Sequence, residues 1–213
     1  MSTFSKFETP VAMDLGSLDP NGGALAYTIY WRPRAEDADP EMPGEKLAMV
    51  SYLPTKAGDL CPCGSGRRFG VCCQLQPYWE LVCRDPDVQG YSLMLPQEVT
   101  FANVPTDAVY TFLQNDERLS CVEDAFPQAF WNYWGDPAFE TPYGMLCFGD
   151  FELQEDRTLL VTAISDKRMQ VLLDLLQPLN LGVPPIQRDP ARRIDKPMRK
   201  APSGKRRRRS STR

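Results

Sequence analysis

The 213-residue sequence contains no histidine. That absence removes the usual general base that activates a serine or cysteine nucleophile. It also removes mixed cysteine and histidine zinc sites, and the histidine ligands of most catalytic zinc sites. A hydrolase is therefore disfavoured, and we expect that the protein is not an enzyme.

Long apolar runs are also missing. No stretch approaches the roughly 18 apolar residues of a transmembrane helix, so the sequence predicts no membrane span. The first residues, Met1 to Pro20, are acidic and polar without an apolar core, which does not fit a secretory signal. Because unpaired cysteines belong to reducing compartments, we expect the protein in the cytoplasm.

What the chain does have is a cluster of cysteines. Four of the seven cysteines stand within 13 residues, at Cys61, Cys63, Cys72 and Cys73. Disulfides are the first alternative, but bridges between adjacent or nearly adjacent cysteines are strained, and an odd total cannot all pair within the chain. Free buried thiols are the second alternative. The spacing favours one metal ion held by all four, with zinc the preferred metal and iron its competitor.

The residues between the two cysteine pairs suit such a site. Gly64 and Gly66 let the chain turn tightly, because glycine tolerates positive φ. Four thiolates around a divalent ion leave a charge near −2, which Arg67 and Arg68 are placed to neutralise. A site closed by four thiolates has no position for a reactive water, so we interpret it as structural.

The segment from Cys61 to Cys73 resembles the SEC-C motif, in its Cys-Pro-Cys-Gly-Ser-Gly start, its two basic residues, Phe69 and its closing cysteine pair. The motif ends preprotein translocase ATPases and occurs in many small bacterial proteins. The resemblance implies a zinc, or sometimes iron, knuckle that docks on a partner such as an export chaperone or the ribosome. It covers about 13 residues, and the chain has no Gly-rich loop ending in Gly-Lys-Ser/Thr of the kind that ATPases use.

Charge is distributed unevenly along the chain. Residues 188–213 carry 12 basic and two acidic side chains, a net charge of +10. Because the whole chain has a net charge of −4, the remaining residues carry −14. The basic side chains culminate in Lys205, Arg206, Arg207, Arg208 and Arg209. We expect a disordered arm that binds RNA or another polyanion in a salt-sensitive way. A solubilising tail, a tail folded onto the acidic body and a nuclear import signal are the alternatives.

Hydrophobic patterning predicts an α+β fold in four parts. Residues 1–60 hold a β-hairpin with strands at 24–32 and 46–53, residues 61–75 form the knuckle, residues 76–187 form an α+β body, and residues 188–213 are the basic tail. Within the body we predict a short helix over 76–84, extended chain over 91–101, a helix over 105–115 and a short strand over 119–122. A helix then carries Phe126, Phe130, Tyr133 and Trp134 on one face, and a hairpin over 143–164 precedes a helix from Ser165 to Gln177.

These features lead to an interaction protein as the main functional hypothesis. The knuckle supplies a docking surface, the body a second surface and the tail long-range attraction, with the ribosome, RNA or the export machinery as partner. Two alternatives stay open: an enzyme that uses the carboxylates and aromatics between Glu123 and Trp134, and a metal- or redox-responsive sensor. For Cys83, Cys121 and Cys147 we expect buried thiols.

Overall fold

The computed structural model describes residues 25–31, 46–53, 55–86, 90–135, 146–182, 184–191 and 193–196, with the backbone alone for the first two strands. Strands and helices follow one another in the order β1 (Leu25–Trp31), β2 (Lys46–Tyr52), β3 (Tyr78–Arg84), β4 (Tyr91–Leu93), β5 (Gln97–Phe101), α1 (Thr106–Gln114), β6 (Leu119–Ala125), β7 (Gln128–Tyr133), β8 (Gly149–Leu153), β9 (Leu159–Ala163), α2 (Asp166–Leu176), β10 (Gln187–Arg188) and β11 (Arg193–Asp195).

The first sheet surrounds β3. Its strand order is β11, β3, β1, β2, and β4 also pairs with β3. Strands β1 and β2 are antiparallel, with Leu25 opposite Tyr52 and Trp31 opposite Lys46, which confirms the predicted N-terminal hairpin. Strand β3 pairs in parallel with β1 and antiparallel with β4 and β11. Because β3 follows the cysteine segment directly, this sheet holds the C-terminal end of that segment.

The second sheet is fully antiparallel, in the order β10, β5, β9, β8, β7, β6. One face of it is covered by the two helices, and the side chains between them form a continuous buried core. Each fully buried large apolar side chain there stabilises the fold by about 1.5–3 kcal/mol. The central members of this core are Val99, Phe101, Val109, Leu113, Trp131, Phe151, Val161, Met169 and Leu172. Sheet plus covering helices confirms the α+β class.

Helix boundaries follow the sequence signals. Helix α1 begins after Pro105, which has no N–H to leave unpaired, and buries Val109 and Leu113. Helix α2 begins after Ser165, whose side chain accepts a hydrogen bond from the backbone N–H of Arg168 at 3.2 Å. These two of the four predicted helices are therefore confirmed. In the described part of the chain, no helix has the length and apolarity to cross a membrane.

Two predicted helices are wrong, and both segments are strands. Residues 78–84 form β3, where Trp79 and the run from Leu81 to Cys83 are buried, so both faces of the strand are covered. A short apolar run of that kind has no period that separates strand from helix. The aromatic stretch forms the hairpin of β6 and β7, in which Phe130 and Trp131 point to opposite faces of the sheet.

The C-terminal region is more ordered than its composition predicts. Proline and basic residues predict disorder from Gly182 onward, yet β10 pairs with β5 and β11 pairs with β3. The segment therefore returns from the second sheet to the first one. Residues 197–213, with the basic cluster, lie outside the described residues.

A buried arginine joins the two sheets. Arg168, at the start of α2, is 1% exposed, and its guanidinium donates two hydrogen bonds to the carbonyl of Arg84 at the end of β3 and one to the carbonyl of Cys147. It also stacks over the ring of Phe148, 4.7 Å from the ring centre. These contacts fix the N-terminus of α2 against the strand that follows the cysteine segment.

We predict that Arg168→Met lowers the free energy of unfolding by about 3 kcal/mol, because the carbonyls of Arg84 and Cys147 lose their charged donor. Urea denaturation followed by tryptophan fluorescence measures this loss. Arg188→Met is the matched control, since Arg188 pairs with Asp166 at the surface and its loss should cost below about 0.5 kcal/mol. Equal losses in the two variants would contradict the role assigned to Arg168.

Candidate metal centre

A short tight loop brings the two cysteine pairs together. Leu60 and Arg68 form an isolated antiparallel bridge, and the N–H of Cys61 donates to the carbonyl of Arg67 at 2.8 Å. A single 3-10 turn, Phe69–Val71, then leads into Cys72, and a second one begins at Cys73. The chain therefore doubles back within eight residues, and both cysteine pairs lie at the same end of the loop.

Glycine makes this reversal possible. Gly64 and Gly66 have φ values of +75° and +71°, a region that other residues rarely adopt. Between them stands Ser65, whose hydroxyl lies beside the sulfurs of Cys63 and Cys72. The predicted role of both glycines is confirmed.

The sulfur atoms fit a tetrahedral metal site. All four Sγ atoms of Cys61, Cys63, Cys72 and Cys73 lie within 4.8 Å of one another. The Sγ atoms of Cys63 and Cys72 are 3.7 Å apart. Zn–S bonds of about 2.3 Å in a tetrahedron require sulfur atoms roughly 3.8 Å apart. All seven cysteines are free thiols in the structure, so no disulfide competes for these four. The cluster could hold one metal ion.

The surroundings give the four thiols different proton affinities. Burial raises the pKa of Cys61. Burial also raises the pKa of Cys73, and its contacts with Cys61 and Glu80 raise it further. Burial acts in the same sense on Cys72, but hydrogen bonds from Ser65 and the neighbouring thiols outweigh it and lower that pKa to about 7. Cys72 is therefore the first of these three to become a thiolate, and a cation must bring the others down.

Three side chains around the cluster come from different parts of the chain. Ser65 Oγ lies 3.2 Å from the sulfur of Cys63 and 3.3 Å from that of Cys72. Glu80 of β3 has one carboxylate oxygen 3.3 Å from the sulfur of Cys73. Lys196, just after β11, donates to the carbonyls of Cys73 and Gln74 at 3.1 and 3.3 Å. Such outer partners position the ligands and adjust the charge that the metal experiences.

Sequence reasoning missed Glu80 and Lys196, because nothing local in the sequence marks them. It assigned charge neutralisation to Arg67 and Arg68, which the structure places on the surface. Arg68 donates to the carbonyl of Gly58. The cation beside the ligands in the described residues is Lys196, 123 positions beyond Cys73.

Among the residues that the structure describes, the other candidates do not gather into a second site. Cys83 and Cys147 are buried thiols, as predicted, and Cys121 is half-buried. Glu123 and Asp124 are exposed on β6, where the hydroxyl of Tyr110 donates to Asp124 at 2.7 Å. The basic residues from Lys205 to Arg209 lie outside the described residues.

Comparison with protein families identifies the cysteine segment. Residues 59–75 match the SEC-C motif. The predicted resemblance is thus confirmed for this segment, and the motif and the four gathered cysteines together support metal binding. No curated protein and no solved structure matches the chain.

We predict that Cys63→Ser reduces the bound metal to near zero, because a tetrahedral thiolate site tolerates no missing ligand. Metal content by mass spectrometry of the purified protein measures this, with Cys121→Ser as the matched control that keeps the metal. The hairpin of β8 and β9 should stay folded. Loss of the whole circular dichroism spectrum in Cys63→Ser would show that the body depends on the knuckle.

We predict that Ser65→Ala weakens zinc binding about tenfold near pH 6.5. Without the hydroxyl, the pKa of Cys72 rises above its value of about 7, so a larger fraction of this thiol carries a proton that zinc must displace at pH 6.5. The loss should shrink toward pH 9, where Cys72 is a thiolate in both proteins. Competition with a chromophoric chelator at pH 6.5 and at pH 9 measures the zinc affinity, with Ser120→Ala as the control. An equal loss of affinity at the two pH values would contradict this role of Ser65.

Proposed function

We propose that this protein is a metal-stabilised interaction protein without enzymatic activity, in which the four cysteines bind zinc and the knuckle docks on a macromolecular partner. The ribosome is the partner that fits best, because its protein surface could bind the knuckle and its RNA could bind the basic tail. Protein-export or chaperone machinery is the alternative partner. The cytoplasm is the compartment that the cysteine chemistry favours.

The observation that carries this proposal is the exposure of apolar side chains on the knuckle. Leu60, Val71 and Leu75 are 67%, 63% and 72% exposed. Large apolar side chains clustered in one short segment commonly mark a contact surface. The loop buries Phe69 together with its four cysteines and leaves these three outside, so they do not serve its folding.

Charge supports the same proposal. Arg67 and Arg68 are exposed on the knuckle. The sequence from Lys205 to Arg209 adds five consecutive cations, which bind phosphate and release counterions on RNA. Apolar contacts would give the complex its geometry, and the arginines would give it salt-sensitive attraction.

Nothing favours the enzyme hypothesis to the same degree. Its candidate carboxylates are solvent-exposed, and the one with a described partner accepts a hydrogen bond from Tyr110. The pKa of Tyr110 is raised chiefly by that hydrogen bond, which stabilises the protonated phenol and disfavours a phenolate base.

Co-sedimentation with purified ribosomes across a salt series tests the proposal. We expect binding that weakens steeply with salt. A variant ending at Met198 lacks eight basic residues and should lose up to about 6 from the slope of log affinity against log salt, the share of eight phosphate contacts. The triple variant Leu60→Ser, Val71→Ser, Leu75→Ser should bind more than tenfold more weakly at every salt concentration while keeping its metal.

Phe126→Ser is the matched control, because Phe126 is 53% exposed on the body rather than the knuckle. Its ribosome affinity should equal that of the wild type. Absence of co-sedimentation at low salt would reject the ribosome and direct the search to a protein partner. An effect of Phe126→Ser as large as that of the triple variant would reject the knuckle as the docking surface.

A further inference from the structure

The C-terminal strand lies against the candidate metal centre. Strand β11 pairs with the first half of β3, with Arg193 opposite Glu80, Ile194 opposite Trp79 and Asp195 opposite Tyr78. The backbone N–H of Lys196 extends this ladder to the carbonyl of Pro77 at 2.9 Å. A segment more than 110 residues distant in sequence therefore covers the strand that follows the last cysteine.

Two sets of contacts connect this strand to the cysteine ligands. The ammonium of Lys196 holds the carbonyls of Cys73 and Gln74. The guanidinium of Arg193 lies 3.5 Å from one oxygen of Glu80, whose other oxygen is 3.3 Å from the sulfur of Cys73. Arg193 also stacks on the ring of Tyr78, 4.5 Å from its centre. Lys196 therefore contacts the backbone of Cys73 directly, and Arg193 is connected to the sulfur of Cys73 through Glu80.

Electrostatic attraction favours these contacts when the metal is bound. Four thiolates around a divalent ion carry a net charge near −2, and the carboxylate of Glu80 adds to it. Lys196 and Arg193 supply two positive charges on the other side. Partial burial of Lys196 strengthens its attraction to the cluster, since screening by water is reduced there.

We infer that the segment from Arg193 to Lys196 is a strap whose attachment to β3 is coupled to metal binding at the four cysteines. Coupling of this kind is reciprocal: if metal favours the attached strap by some factor, the attached strap raises metal affinity by the same factor. Loss of metal loosens the strap and with it the anchor of the basic cluster Lys205 to Arg209, which begins nine positions after Lys196. This inference rests on metal binding alone and not on any partner.

Metal affinity provides the first test. Lys196→Met keeps the aliphatic stem and removes the ammonium, and we expect zinc to bind about tenfold more weakly in competition with a chromophoric chelator. Lys56→Met is the matched control, because it removes the same charge from an exposed lysine that precedes the knuckle, and its affinity should equal that of the wild type. An unchanged affinity in Lys196→Met would overturn the coupling.

Hydrogen exchange of the full-length protein provides the second test. Removing zinc with a chelator should speed exchange of the amides from Arg193 to Lys196 at least tenfold, while the amides of β8 and β9 keep their protection. Unchanged exchange over 193–196, or equal acceleration in β8 and β9, would overturn the inference. Neither test involves ribosomes, so failure of the strap and failure of ribosome docking are separate results.

Discussion

Four sulfur atoms within 4.8 Å of one another are the constraint on which the N-terminal half of this molecule depends. The loop that carries them buries, besides the cysteines, only Phe69 in its own small cluster. A core of that size cannot offset the conformational entropy of ordering the loop, so a metal ion must contribute the difference, with binding free energies on the order of 10 kcal/mol. The same loop leads directly into β3, and the position of the four cysteines therefore also fixes where β3 begins.

The second half of the molecule has no such dependence. Its antiparallel sheet and two helices bury a continuous apolar core of their own. The two halves meet where Arg168 donates to the carbonyl of Arg84, and where Lys167 pairs with the buried carboxylate of Asp85 at 3.0 Å. The knuckle is thus attached to a body with its own apolar core, with polar contacts at the far end of β3. We therefore expect the body to stay folded when the metal centre changes state.

Local signals in the sequence predicted the knuckle, the two helices that the structure contains in its described part, and the hairpins of β1 with β2 and of β8 with β9, because each depends mainly on residues close together in the chain. Cysteine spacing and two glycines define the loop, and Ser165 defines the start of α2. The errors occurred where a local pattern was ambiguous. The apolar run in β3 is buried on both faces and so lacks strand alternation, and aromatics spaced at i, i+4 and i+7 also occur in a hairpin. Glu80 and Lys196 carry no local signal, since only the pairing of β11 with β3 brings them to the cysteines.

The position of Lys196 changes the interpretation of the basic residues in the motif itself. Arg67 and Arg68, between the ligand pairs, would be needed to compensate the thiolates if no other cation were near. Because the C-terminal strand brings Lys196 to Cys73, that compensation comes from the side where the knuckle meets the sheet. The outer surface of the knuckle then keeps two exposed arginines beside Leu60, Val71 and Leu75. A cation on the inside and exposed apolar and basic residues on the outside fit the docking role proposed for this knuckle.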